Sequence, residues 1–363
     1  MRALFLVRAG VSALAMGGLV ALAWGPAQYL RDDRTAAPSI RTVVLGSAPD
    51  APSALTAWPT GVVDTAELVP GRAAAGIEPT ALPVTAAEAA AAAGRPDTIT
   101  VVGTPSADAV TGVGAVVTEA DVDLLAALPE PRRTADVRFL VDPSGAALSV
   151  VGVDGAPDRG ATLVDAASDR TTRTALDGHG EVADLLRVWA QVRPEITALV
   201  PSASGGPAAS ILAATGVDPG LATPVLTPGT RPWRTVVART VTRELLPALA
   251  HGRAPVSPAL LAQRSPAGLV TIADGSARLT ARGAAYAVAA RVVQPGSRAM
   301  AVRAPDDLVA QAYARPGGGA SLLVWNPGAA RTLVLQFPAG DHALRLELPV
   351  GAGALTGVVL APR

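Results

Sequence analysis

Residues 268–302 read GLVTIADGSARLTARGAAYAVAARVVQPGSRAMAV. Three signals follow one another in this stretch. A short apolar run breaks at Asp274-Gly275, a dipeptide that turns a chain back on itself. The alanine-rich run 281–292 has high intrinsic helix propensity. A Gln-Pro-Gly-Ser turn then opens a second extended run. The spacing predicts a short strand with a turn at Asp274-Gly275, then a helix over 281–292, then a strand-like run opening at QPGSR (294–298).

On either side of this stretch the patterning differs. From about residue 41 to 262, short β-rich runs alternate with helical ones. RTVVLGS (41–47), TITVVGT (98–104), VRFLVD (137–142), LSVVGVD (148–154) and ITALVPS (196–202) are expected as buried strands. Helices are expected over 85–94, 118–130, 179–192, 205–217 and 235–252. The helix near Glu181 is the clearest, because Val182, Leu185, Leu186, Trp189 and Val192 form one apolar stripe. Alternation of this kind is the mark of βα units around a largely parallel sheet or barrel. After residue 302 the runs 308–315, 320–328, 331–340, 342–351 and 355–362 are closely spaced strands with Gly and Pro turns, the pattern of an antiparallel β-sandwich. The expected fold class is therefore α/β: a (β/α)8-like barrel, complete or degenerate, over 41–292, followed by a C-terminal β-sandwich over 293–363.

Composition narrows the chemistry. The chain has 363 residues, balanced charge (30 basic, 30 acidic), no Lys and no Cys. A balanced charge with no basic block in the mature region argues against nucleic acid as a partner. The lack of Cys removes disulfides, thiolate metal sites and a thiol nucleophile. The three His residues, His179, His251 and His342, lie far apart, so no metal and no cofactor is expected. At the N-terminus Arg2 and Arg8 precede an apolar run over 9–24, and RDDR follows at 31–34. This reads as a signal peptide or uncleaved signal anchor over 1–30 with a linker over 31–40. Export is expected, with the body periplasmic, extracellular or held on the outer side of the inner membrane through that segment.

The order of elements around the opening stretch resembles the last barrel unit and β-domain of retaining (β/α)8 glycoside hydrolases of the family 39 and family 30 type. The matching residues are Gly268, Leu269, Asp274 and Gly275 at the last barrel strand, Tyr286 in the helix, Pro295, Gly296 and Ser297 before the next strand, and Asn326. The resemblance spans about residues 224–363 and implies a carboxylate pair about 5 Å apart, one nucleophile and one acid/base. That pair is not matched. Where the resemblance places the nucleophilic Glu, the sequence has PVLTPGTRPW (224–233), with Pro228 at or near the position. No Asp or Glu stands between Asp218 and Glu244, and no Asn-Glu-Pro turn exists.

The remaining candidates are weaker. Glu244 is read as a solvated charge on its helix, and Glu195 precedes a strand, at the wrong end for a barrel site. A serine nucleophile at Ser202 or Ser204 would need His179 as base, and helix capping accounts better for Ser204. For carbohydrate binding, Asp142 and Asp154 follow expected strands, and Trp58 and Trp233 adjoin prolines in expected loops. The functional expectation is a non-catalytic glycoside-hydrolase-like protein that binds or organises cell-envelope or extracellular polysaccharide. The alternatives are an active glycosidase with displaced carboxylates and a structural envelope protein with no carbohydrate role.

Overall fold

The computed structural model describes residues 41–44, 59–64, 82–85, 95–102, 104–130, 132–142, 146–153, 161–165, 180–201, 211–213, 231–263, 265–273, 275–339 and 342–360. The leader, Trp58, Asp154, His179, Ser202, Ser204, Pro228 and Asp274 lie outside them. No helix among the described residues is long and apolar enough to cross a membrane.

Strands β1 (Arg41–Val44), β2 (Pro59–Asp64), β3 (Leu82–Thr85) and β4 (Thr98–Val102) come first. Strand β5 (Gly114–Val117) runs into helix α1 (Glu119–Ala126), and α2 (Arg132–Phe139) follows. Strands β6 (Val150–Val153) and β7 (Ala161–Asp165) precede α3 (Gly180–Val192), β8 (Thr197–Pro201) and β9 (Ile211–Ala213). Helix α4 (Arg231–Thr240) continues through a π turn (Val241–Leu245) into α5 (Leu246–Ala250), then β10 (Ala254–Ser257). The opening stretch folds with the expected turn, helix and following strand, and the chain after the turn adds a second strand. Strands β11 (Val270–Ala273) and β12 (Ser276–Leu279) form a hairpin, α6 spans Ala281–Val292, and β13 spans Arg298–Arg303. Strands β14 (Val309–Ala314), β15 (Ala320–Asn326), β16 (Arg331–Ala339), β17 (His342–Val350) and β18 (Ala354–Leu360) complete the chain.

Six strands form a mixed sheet in the order β7-β8-β6-β5-β10-β9. All its pairings are parallel except β7 with β8. The last of its strands in the chain, β10, lies beside the first, β5, which is how a βα sheet curls toward a barrel. The edge strands β7 and β9 do not pair with each other among the described residues. Gly114 sits where β5 meets β6 at close range. A Cβ there would stand 1.7 Å from the Val150 carbonyl oxygen, so only glycine fits.

The second sheet has ten strands, β1-β2-β18-β15-β14-β13-β4-β16-β17-β3. Here the structure departs from the sequence pattern. The runs at 41–44 and 98–102 are strands, but they lie in this sheet and not among the βα units: β1 pairs with β2, which pairs with β18, and β4 pairs with β13 and β16. β4 joins β16 in parallel, so the sheet is not purely antiparallel. The expected strand 137–142 is also different: residues 132–139 are helix α2, whose five polar or charged residues in eight suit an outer helix better than a buried strand. Within the expected helix 205–217, residues 211–213 are strand β9.

Strand β13 divides its pairing, residues 298–300 with β14 and 301–303 with β4. The two halves of the sheet share one apolar cluster, with Leu322, Val324, Val358 and Leu360 from one half and Ile99, Leu335, Phe337 and Leu346 from the other. The opposite face of the first half, Tyr313, Leu323, Trp325 and Leu355, packs into the main core with α6. Strand β15 is buried at every residue because both faces are covered. Its polar residues carry the seam: Ser321 Oγ donates to the Val292 carbonyl at 2.8 Å, at the end of α6. From β14, Gln311 Nε2 donates to the Leu246 carbonyl at 2.8 Å.

All twelve residues of α6 are buried. Alanine makes this possible, since small side chains let neighbours approach on every side. The closest approach is at Gly283, where a Cβ would stand 1.8 Å from the Leu269 carbonyl oxygen. Thr280 caps the helix, its Oγ1 accepting from Gly283 N at 3.0 Å. Gly283→Ala is expected to force α6 off the β11–β12 hairpin and destabilise the protein by about 2–4 kcal/mol, in the range of core overpacking and beyond. Chemical unfolding measures it; a midpoint unchanged from the parent chain would show that the helix does not seat this closely.

Candidate functional site

In a βα sheet the reacting groups project from the C-terminal ends of the parallel strands. At the end of β5, Thr118 is the N-cap of α1 in a capping box with Asp121. Thr118 N and Oγ1 both donate to Asp121 Oδ2 at 2.9 Å, and Asp121 N donates to Thr118 Oγ1 at 3.2 Å. At the end of β10, Ser257 is fully buried and donates through Oγ to the Ala267 carbonyl at 2.8 Å. Ser257 holds backbone, and the carboxylate at the end of β5, Asp121, is fully buried with its Oδ2 taken up by Thr118. Glu119, Asp123 and Glu181 gather instead on the helices flanking the sheet. There slight desolvation, followed by the charges of Asp123 and Glu119, raises the pKa of Glu181. No group of three or more His, Cys, Asp or Glu suited to a metal ion is present among the described residues.

Two of the sequence candidates can be placed. Trp233 lies in α4, not in a loop, and is only 4% exposed within the main core. Its ring is covered by protein and is not open for a sugar to stack on. The proline beside it occupies the first turn of a helix, where its missing N–H costs nothing. Asp142 follows α2, not a strand. It pairs with Arg138 at 3.3 Å, and its charge favours the ionised forms of Arg193 and Arg291, which burial opposes. Asp142 thus acts as a counter-charge to buried arginines. The other two, Asp154 and Trp58, are outside the described residues. Trp189 is in the core as its stripe predicts, with Nε1 donating to the Val137 carbonyl at 2.9 Å.

The buried ionic site in this structure is one that reading the sequence missed. Glu244 does not face solvent. Its Oε2 stands 2.6 Å from Arg282 Nη2 and accepts from Tyr286 OH at 3.2 Å. Arg282 is 5% exposed and Tyr286 fully buried, with the guanidinium carbon 5.8 Å from the ring centroid. Burial pushes the Glu244 carboxyl above the ordinary Glu range, opposed by Arg282 and the Tyr286 hydrogen bond. The signal was present. Glu244 comes seven residues after Val237 and three after Val241, on the same face as the apolar stripe.

The π turn explains the rest. Val237, Val241, Leu245 and Leu249 recur every four residues, and on an ideal α-helix such a row drifts by ~40° per step. The wider turn at Val241–Leu245 takes up that drift, so that Val241, Leu245 and Leu249 are all buried. The Glu244–Arg282–Tyr286 cluster lies between α6 and this turn. Its geometry fits an ion pair that locks two helices together.

Neither a protein-family model nor a curated protein matches the sequence. Solved structures do match the fold. An endo-β1,6-glucanase superposes with a TM-score of 0.54 at 10% identity, covering 84% of this chain and 100% of its own. The fold is glycoside-hydrolase-like. The catalytic domain of the family 30 xylanase C from Talaromyces cellulolyticus is more distant, with a TM-score of 0.43 at 10% identity over 73% of this chain and 100% of its own. At this identity the likeness concerns the path of the chain.

Removing one partner of the buried pair leaves the other charge uncompensated, so Arg282→Gln is expected to cost about 3–5 kcal/mol. Glu244→Gln should show the sign of the raised pKa. Between the ordinary Glu range and the raised value, the folded state holds a proton that the unfolded state has lost. Stability therefore falls as pH rises through that window, and Glu244→Gln should remove this slope. Denaturant midpoints of parent and variant across mildly acidic to neutral pH check both; parallel curves would contradict the assignment.

Proposed function

We propose that the protein is an exported, glycoside-hydrolase-like protein that binds cell-envelope or extracellular polysaccharide without cleaving it. In this reading the mixed sheet is a reduced (β/α)8 barrel over the region up to 292. The folded ten-stranded sheet is its β-sandwich, which also recruits the N-terminal strands. The leader takes the body out of the cytoplasm, by cleavage or as a tether.

One observation carries the non-catalytic part. Where the resembled hydrolases have their nucleophilic Glu, ahead of α4, this chain has Pro228. The next carboxylate along the chain, Glu244, is held by Arg282 and Tyr286 between helices. A retaining glycosidase forms its covalent intermediate on that nucleophile, so its loss closes the covalent route. Binding needs shape, stacking and hydrogen bonds, and these do not depend on the pair. The likeness to an endo-β1,6-glucanase supports a glycan as ligand and makes a β1,6-glucan a sensible first probe.

The purified full chain is expected to be retarded in gels containing β1,6-glucan or another polysaccharide while releasing no reducing ends above the protein-free blank. Steady release abolished by changing a single Asp or Glu would establish an active glycosidase with displaced carboxylates. Absence of retardation by every polysaccharide in the panel would leave a structural role.

A further inference from the structure

We infer that Asn326 is a clamp that fastens two turns of the ten-stranded sheet together and holds one of them against helix α4, so that sheet end and helix open as one unit. The inference does not depend on what the protein binds.

Asn326 is the last residue of β15 and lies opposite Ala354, the first of β18. It is fully buried and is the only Asn in the chain. Its side chain reaches backbone groups in two separate turns. Nδ2 donates to the Ala329 and Gly351 carbonyls, both at 2.8 Å, and Oδ1 accepts from Gly328 N at 3.2 Å. The turns also join each other directly, Gly353 N donating to the Gly328 carbonyl at 3.3 Å. This position needs two donors and an acceptor on a short side chain, which is what a primary amide supplies. An ionised Asp has no donor, Ser has a single one, and Gln carries its amide a methylene further out.

The clamped β17–β18 turn is the one that meets α4. Gly353 adopts φ +58, a conformation that favours glycine, and a Cβ there would stand 3.3 Å from Arg234 Cδ and 3.7 Å from Arg234 Cβ. Leu355, just after the turn, and Trp233, next to Arg234, are both buried in the main core. The turn therefore lies along the first half of α4, with Asn326 holding it from the sheet side. This gives the sheet a second fastening to the helical layer, separate from the seam at α6.

The test is native-state hydrogen exchange on the full chain and on Asn326→Asp. In the parent, the amides of Gly328, Gly353 and the first half of α4 are expected to exchange through a common opening. Asp has the same shape, but its ionised form donates nothing and sets a negative charge against two carbonyls. Asn326→Asp is expected to speed exchange roughly tenfold at both turns and in the first half of α4. The turn at 315–319, at the other end of β15, should exchange as in the parent. In acid the new carboxyl gains a proton and can donate once, so the excess exchange over the parent at the same pH should shrink. Faster exchange at the turns with α4 unchanged would overturn the coupling, and unchanged exchange at the turns would overturn the clamp. If the variant does not fold, exchange of the parent decides: turns that open independently of α4 would overturn the inference.

Discussion

The structure depends on one constraint: an alanine-rich helix buried on every side. Helix α6 meets the β11–β12 hairpin at Gly283, the ten-stranded sheet through Tyr313, Leu323, Trp325 and Leu355, and the α4–α5 rod across the buried ion pair. Large side chains would hold these elements apart. Small ones bring the hairpin backbone to contact distance and let a single helix join the core of the mixed sheet to the back of the second sheet. Each apolar residue buried around it contributes about 1.5–3 kcal/mol relative to exposure. The cost is steric: few positions on α6 have room for an added methyl group.

The Glu244–Arg282–Tyr286 cluster stands where this helix packs against the π turn. Burying an ion pair brings little net stability by itself, because desolvation of both groups offsets their attraction. Its effect here is on register. With Glu244 fixed to Arg282, α6 cannot slide along α4 without leaving a charge unpaired in the core.

The departures from expectation share a cause. Asp142 and Trp233 were judged from their immediate neighbours in sequence. Asp142 looked like a residue at a strand end, yet the segment before it is helix α2, where Arg138 at i−4 can reach it. Trp233 looked exposed because prolines flank loops, yet a proline in a first helical turn is equally at ease. In both cases local sequence allows two readings, and packing against the rest of the chain selects one. The strands at 41–44 and 98–102 are a different case. Their strand character was legible, but an apolar extended run carries no mark of which sheet it will pair with.

By itself the sequence determined the β11–β12 turn, helix α6 and the five strands from Val309 to Leu360, because periodicity, propensity and turn residues act over a few neighbours. It also determined that no carboxylate stands between Asp218 and Glu244. Only the tertiary structure decided that β4 lies parallel to β16, that β5 and β10 are neighbours, and that Glu244 points inward to Arg282. Those facts join residues tens to hundreds of positions apart. They follow from which surfaces must be hidden together when the whole chain closes.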